Sequence, residues 1–185
     1  FPMAVERFDL SGFDIVLSVS HCCVKSVVKA PGAHHLCYCL TPMRYIWDKV
    51  DDYFGRGLKR LHASPMISSL RRWDLETVPR VHKWVAISTE VQDRIRRRYN
   101  RESELLFPPG NDAYYTPSAQ AREDWYLYVG GLVPYKRVDL AIEALRASGR
   151  KLVVVGKGPE ESRLKRIAGR EVEFLGWQAG EELAK

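Results

Sequence analysis

Long apolar runs are missing from this chain of 185 residues, and nothing in it approaches the roughly 20 apolar residues that a membrane span needs. The longest runs, Asp14-Ile-Val-Leu-Ser-Val-Ser20 and Lys151-Leu-Val-Val-Val-Gly156, have only strand length. Phe1 to Leu10 carry charges and lack the basic-then-apolar order of a secretory leader. Cysteine is scarce, with four residues confined to positions 22 to 39, too few for a disulfide knot. Neither a G-x-G-x-x-G turn nor a G-x-x-x-x-G-K-[ST] loop occurs, which argues against a nicotinamide-dependent dehydrogenase and a P-loop nucleotidase. Internal repeats and low-complexity segments are absent as well. What is present is ordinary for a globular chain: 45% hydrophobic and 28% charged residues exclude disorder and collagen. The length fits one large or two small domains, at roughly 150 residues per domain.

Lysine and arginine total 29 against 23 acidic residues, a net charge of +6. An excess of this size suits an anionic partner: nucleic acid, an acidic membrane surface or a phosphorylated ligand. The basic residues fall in two clusters on segments that read as helices. One holds Arg94, Arg96, Arg97, Arg98 and Arg101, the other Lys59, Arg60, Arg71 and Arg72. Solvated helix faces explain both; attraction to an anionic leaflet is the second reading. A non-enzymatic basic protein, docking through the arginine helix on membrane or nucleic acid, is the alternative to an enzyme.

Cys22, Cys23, Cys37 and Cys39 are interleaved with His21, His34 and His35. Their spacing, C-C and C-Y-C, departs from the separated pairs of a structural zinc site. In a strand, Cys37 and Cys39 share one face and Tyr38 takes the other, so two small core residues account for them. The expectation is a reduced set of thiols and no metal.

Strands are predicted at 14–20, 35–40 and 81–88, and helices at 43–50, 57–78 and 89–99, with Pro65 ending or kinking the second. Ser88 fits the N-cap of the third. Residues 110–124, with Pro117 and Ser118, read as a linker. Beyond it strands (125–129, 151–155, 172–175) alternate with helices (138–147, 160–168, and the start of one at 180–185). That βαβαβ pattern makes half of a doubly wound parallel sheet. Two domains are expected, 1–109 and 110–185.

The first βα turn of the second half is Val129-Gly130-Gly131-Leu132-Val133-Pro134-Tyr135-Lys136-Arg137. Paired glycines let the backbone approach a ligand, the following helix offers unpaired N–H groups, and Lys136 adds an ammonium. The combination is a cradle for a diphosphate. The second turn, Gly156-Lys157-Gly158-Pro159-Glu160, repeats the pattern. Open α/β sheets bind ligands beyond the carboxyl ends of their strands, so both turns should serve one site.

The string from Tyr126 to Leu145, the loop Val155-Gly-Lys-Gly-Pro-Glu160 and Val172-Glu-Phe-Leu-Gly-Trp177 together resemble the nucleotide-sugar half of family 4 glycosyltransferases. His34 to Asp48, with its Thr41-Pro-Met-Arg44, resembles the acceptor-side segment of that family, as does Ala86 to Ile95. Leu106-Phe-Pro-Pro-Gly110 resembles the passage into the second domain. The resemblance implies an α/β, GT-B-like pair of Rossmann-like parallel-sheet domains, both incomplete here. It further implies a retaining, metal-independent transferase without a cofactor. Such an enzyme moves a sugar, mannose by analogy, from a nucleotide-diphosphate donor such as GDP-mannose to a saccharide or lipid-linked acceptor in surface polysaccharide synthesis. A cytoplasmic location, with attachment to the inner face of the membrane, goes with that role.

Carried over by position, Lys136 with Gly130 and Gly131 would hold the donor diphosphate. Gly156, Gly158 and Trp177 would line the nucleotide pocket, His21 would be catalytic, and Arg44 would face the cleft from the acceptor side. Three departures stand out. Gly131 occupies the place where many relatives have an arginine, and Leu40 the place of a histidine. The E-x7-E element of the family would lie beyond Lys185. The chain is therefore expected to be a piece of a longer enzyme, weakly active or inactive by itself.

Overall fold

A computed structural model describes residues 2–110, 115 and 121–184. The chain divides into two compact units, 1–109 and 110–185. Apart from Gly110, Tyr115 and residues 121–124, the expected linker lies outside the described residues.

The first unit runs α1 (Pro2–Val5), β1 (Ile15–Ser20), β2 (His34–Cys39), α2 (Arg44–Trp47), α3 (Val50–Phe54), α4 (Leu58–Glu76), β3 (Lys83–Ala86), α5 (Thr89–Tyr99) and β4 (Glu104–Leu105). Its four strands are parallel and lie in the order β1-β2-β3-β4. Register places Ser18 beside Cys37 and Cys37 beside Trp84, then Ser20 beside Cys39 and Cys39 beside Ala86. This face is buried, and Val78, Val91, Ile95 and Tyr99 pack on it. Tyr38, on the opposite face, is only half-buried.

Three sequence expectations shift. The helix expected over 43–50 is two short ones: the N–H groups of Asp48 and Lys49 both donate to Arg44 O, at 2.8 and 2.7 Å, which closes α2 before α3 begins. Pro65 does not end α4. The carbonyl that proline leaves without a partner is that of Leu61, an exposed position where water can take the N–H role. β3 is shorter than 81–88 because Val81 follows a 3-10 turn (Val78–Arg80), and Ser88 turns to cap α5, its Oγ accepting from Val91 N at 3.3 Å.

A buried ionic cluster lies in this unit. Lys25 Nζ donates to Asp74 O (2.9 Å), Thr77 Oγ1 (2.9 Å) and Ser26 Oγ (3.3 Å). The three ammonium protons are thereby used, and Asp74 Oδ1 faces Nζ at 3.0 Å as an ion pair without a hydrogen bond of its own. Asp74 Oδ2 accepts from Trp47 Nε1 (2.8 Å) and Tyr99 OH (3.0 Å). Burial pushes the Lys25 ammonium below its ordinary range, and Asp74 opposes that shift.

The second unit runs β5 (Trp125–Val129), α6 (Val138–Ser148), β6 (Lys151–Val155), α7 (Glu161–Ile167), β7 (Val172–Gly176) and α8 (Glu181–Ala184). Its strands are parallel in the order β5-β6-β7. Tyr128, Leu152, Val154 and Phe174 meet Leu132, Val138, Ile142 and Leu164. A fully buried leucine or isoleucine here contributes on the order of 1.5–3 kcal/mol.

Candidate functional site

The carboxyl ends of β5, β6 and β7 are joined by backbone hydrogen bonds. Gly130 N donates to Val155 O (3.0 Å), Leu132 N to Lys157 O (3.1 Å), Glu160 N to Leu132 O (3.0 Å) and Gly156 N to Gly176 O (2.6 Å). Two glycines make the approach possible. A Cβ on Gly156, whose φ is +142°, would fall on the carbonyl of Gly130, and one on Gly158 would fall on that of Leu132. The structure thus brings Gly130, Gly131, Gly156, Gly158 and the loops bearing Lys136 and Trp177 to one edge of one sheet.

Lys136 ends a 3-10 turn, Pro134–Lys136, and Arg137 follows in the left-handed region (φ 51°) as the N-cap of α6. Its ammonium is exposed and has no ion pair among the described residues. Arg137 is committed elsewhere: its guanidinium binds Asp139 at 3.0 Å, and Arg163 approaches the same carboxylate at 3.6 Å. The hydrogen bond from Arg137 holds the Asp139 carboxyl below its usual range. A negative charge inside the protein therefore already sits in the first turn of α6, where the dipole favours it. The cations left for an external anion are Lys136 and a second one on the neighbouring loop, Lys157.

Sequence reasoning places the loop of Lys157 at the same site but assigns no role to the lysine itself. It is exposed, lacks an ion pair among the described residues, and its Cε lies 3.7 Å from the point where a Cβ of Gly176 would be. Its stem therefore runs over the third loop, beside Trp177, which is 67% exposed. The signal is present in the sequence: a lysine between two glycines that must pack against the loop carrying Lys136.

His21 and Arg44 lie in the first unit, at the carboxyl edge of its sheet, His21 in the loop after β1 and Arg44 at the start of α2, just after the β2 loop. Leu40 N donates to Ser20 O (2.8 Å), and Cys22 Sγ lies 3.2 Å from Tyr45 OH, so each residue directly flanks that contact. Burial, and after it Cys22, push the Tyr45 phenol above its ordinary range. His21 is exposed and Arg44 half-buried. Arg94 reaches the same edge, its guanidinium donating to Thr41 Oγ1 at 3.2 Å.

All four cysteines are free thiols, and among the described residues no group of three His, Cys, Asp or Glu side chains is placed to hold a metal. No described helix is long and apolar enough to cross a membrane. The arginines of α5 are largely paired: Arg94 and Arg97 with Glu90, Arg96 with Glu102, and Arg98 with Asp48.

Two parallel α/β sheets, the second with glycine-built loops at its carboxyl edge, define a Rossmann-like fold, and open sheets of this kind bind ligands beyond the carboxyl ends of their strands. Residues 117–185 match the family of glycosyl transferases group 1. No curated protein matches the chain in sequence. In fold it is similar to a mutant of S. aureus TarM in complex with fondaparinux, α-GlcNAc-glycerol and UDP, with a TM-score of 0.52 and 13% identity over 80% of this chain. It is also similar to HepE of Anabaena in complex with UDP and glucose, with a TM-score of 0.50 and 13% identity over 91% of this chain. The chain spans 29% of the TarM chain and 70% of the HepE chain. The Rossmann-like parallel-sheet fold is the one these structures share with it.

Proposed function

We propose that this chain handles the nucleotide-sugar donor of a retaining, metal-independent glycosyltransferase, with a saccharide or lipid-linked acceptor and a role in surface polysaccharide synthesis. One observation carries the reading: three loops held together by backbone hydrogen bonds bear two uncommitted lysines at the edge where a parallel sheet receives phosphates, within the stretch that matches the group 1 family.

Transfer of a glycosyl group develops negative charge on the departing diphosphate. Ammonium groups placed beforehand where that charge grows stabilise the transition state more than the ground state. Lys136 takes that role, Lys157 is the second cation, and the indole of Trp177 offers a face to the base. His21 and Arg44 belong to the acceptor side. Mannose and guanine are the sugar and base implied by the sequence resemblance. UDP in the crystals of TarM and HepE makes uridine the base to compare. Peripheral attachment to an anionic membrane face belongs to the same reading.

Isothermal calorimetry of GDP-mannose, UDP-glucose, GDP and UDP against the wild-type chain, Lys136→Ala and Lys157→Ala tests this. A charged hydrogen bond lost to Lys136→Ala should weaken the preferred nucleotide about tenfold or more, and Lys157→Ala should weaken it less. Equal binding by wild type and Lys136→Ala removes that residue from its role. Absence of binding by any nucleotide sinks the whole reading.

A further inference from the structure

We infer that a cleft at the amino edge of the first unit's sheet is a binding site for a tetrahedral oxyanion, either free phosphate or the phosphate of a small soluble monoester. The cleft has a volume of about 320 Å³ and is lined by Val28, Lys29, Pro79, Arg80 and His82. Lys29 comes from the segment before β2, while Arg80 ends the 3-10 turn before β3 and His82 directly precedes that strand. His21 and Arg44 belong to the opposite, carboxyl edge of the same sheet. A volume of this size holds a phosphate together with the body of a small ligand.

The donors are fixed before any ligand arrives. His82 N donates to His35 O at 2.9 Å, and His82 Nδ1 accepts from His35 N at 3.0 Å, so the imidazole is pinned against the start of β2. An Nδ1 that accepts from an amide holds no proton, and the neutral ring therefore carries its hydrogen on Nε2. That tautomer offers an N–H to an anion and no lone pair to a metal ion. Arg80 Nη1 donates to Glu6 Oε1 at 2.7 Å and to Ser26 O at 2.6 Å, which anchors the guanidinium and leaves Nε and Nη2 without a hydrogen bond among the described residues.

Glu6 already balances the charge of Arg80, so Lys29 supplies the attraction. It is half-buried and has neither an ion pair nor a side-chain hydrogen bond among the described residues, and no carboxylate lines the cleft. Its charge reaches the imidazole: after burial, Lys29 is what holds His82 below the ordinary histidine range. An ammonium so placed is completed by an anion that accepts from it. A phosphate has oxygens enough to meet the ammonium, the imidazole N–H and the open side of the guanidinium together, whereas a carboxylate has two. The inference is independent of sugar transfer, because Lys136, Lys157 and Trp177 all belong to the second unit.

The test is a titration of the isotope-labelled full chain by amide NMR at constant ionic strength, with chloride exchanged for inorganic phosphate, glycerol phosphate or acetate. The signals of Lys29, His35 and His82 should move together and saturate with phosphate or the monoester, and the tighter of those two arms identifies the source. Acetate should bind more weakly. Lys29→Gln should weaken binding about tenfold, as expected for a lost hydrogen bond from a charged donor. His82→Asn, whose amide oxygen can still accept from His35 N, should weaken it several-fold. Lys59→Gln, the same charge change at an exposed position of α4, should leave it unchanged. The proposal falls if these three signals stay still at millimolar phosphate and monoester, if Lys29→Gln titrates like wild type, or if acetate binds as tightly as phosphate. Shifts confined to the amides of Gly131 and Lys136 would overturn it as well, while leaving the reading of the second unit standing.

Discussion

The two units solve the burial of a parallel sheet in opposite ways. Among the described residues, the buried polar side chains Ser18, Ser20, Lys25, Ser26, His35, Asp74 and Thr77 all lie in the first unit, whereas the buried side chains packed between strands and helices in the second are apolar. The first therefore depends on a hydrogen-bonded ionic cluster that links the segment after β1 to α2, α4 and α5. The second depends on dispersion and shape, and its polar chemistry is confined to the loops. A buried charge costs heavily when its partner is removed, while an apolar contact costs in proportion to the cavity left behind. Perturbing each unit should show that contrast.

The largest effect is expected from Asp74→Ala, which strands the Lys25 ammonium, the Trp47 N–H and the Tyr99 hydroxyl together. Urea denaturation followed by tryptophan fluorescence should show a loss of about 3–5 kcal/mol. Lys25→Met combined with Asp74→Leu should recover part of it, because no charge is then left alone. A loss under about 1 kcal/mol for the single variant would mean that water reaches the cluster and the contrast is wrong. Next in size is Leu164→Ala in the second unit. The cavity should cost about 2–4 kcal/mol, by the same amount at acid and neutral pH, since its cluster is apolar apart from Tyr128, whose phenol burial pushes up and keeps neutral over that range.

A gain should come from Gly131→Arg. Space is open around that position, with no atom within 4 Å of the point a Cβ would occupy and no left-handed backbone. A third cation there should tighten nucleoside diphosphate binding several-fold in calorimetry while leaving nucleoside binding unchanged. Looser diphosphate binding would show that position 131 faces away from the phosphates.

The smallest effect is on pH dependence. His35 is buried, with Nε2 2.8 Å from Ser18 Oγ and Nδ1 3.2 Å from Arg80 O, and burial pushes its pKa below the ordinary value. The folded state thus resists a proton that the unfolded chain accepts. Stability contributed by neutral His35 is complete above about pH 6.5 and falls as the pH drops below it. Thermal melts between about pH 7 and about pH 5 should show a decline that His35→Asn reduces. His82, shifted in the same direction by burial and Lys29, keeps some slope in that variant. Stability that rose on acidification would contradict the burial assigned to His35.

Much of this contrast is legible in the sequence, and the exceptions have physical causes. The second unit can be read almost residue by residue because strands such as Lys151–Val155 are continuous β-branched runs between glycine turns, and local pattern is what fixes them. The sharing of one face by Cys37 and Cys39 follows from strand alternation alone. Contacts across the sequence are not legible. Lys25 and Asp74 are far apart in the chain, and nothing near either names the other. Pro65 reads as a break because the rule ignores which side of the helix faces water. The loop of Lys157 is legible as a companion of the first glycine turn, but the part of the lysine itself is not, and the hydrogen bond from Leu132 N to Lys157 O shows it beside the loop of Lys136.

Uneven shielding of the four thiols offers a practical handle. Cys37, Cys39 and Cys23 are 0, 2 and 5% exposed, while Cys22 alone is partly exposed. Burial also pushes the Cys23 thiol up to about 11, which slows its alkylation at neutral pH. A maleimide dye should accordingly enter at a single place in the native protein, adjacent to His21, and report on that loop without any engineered attachment point.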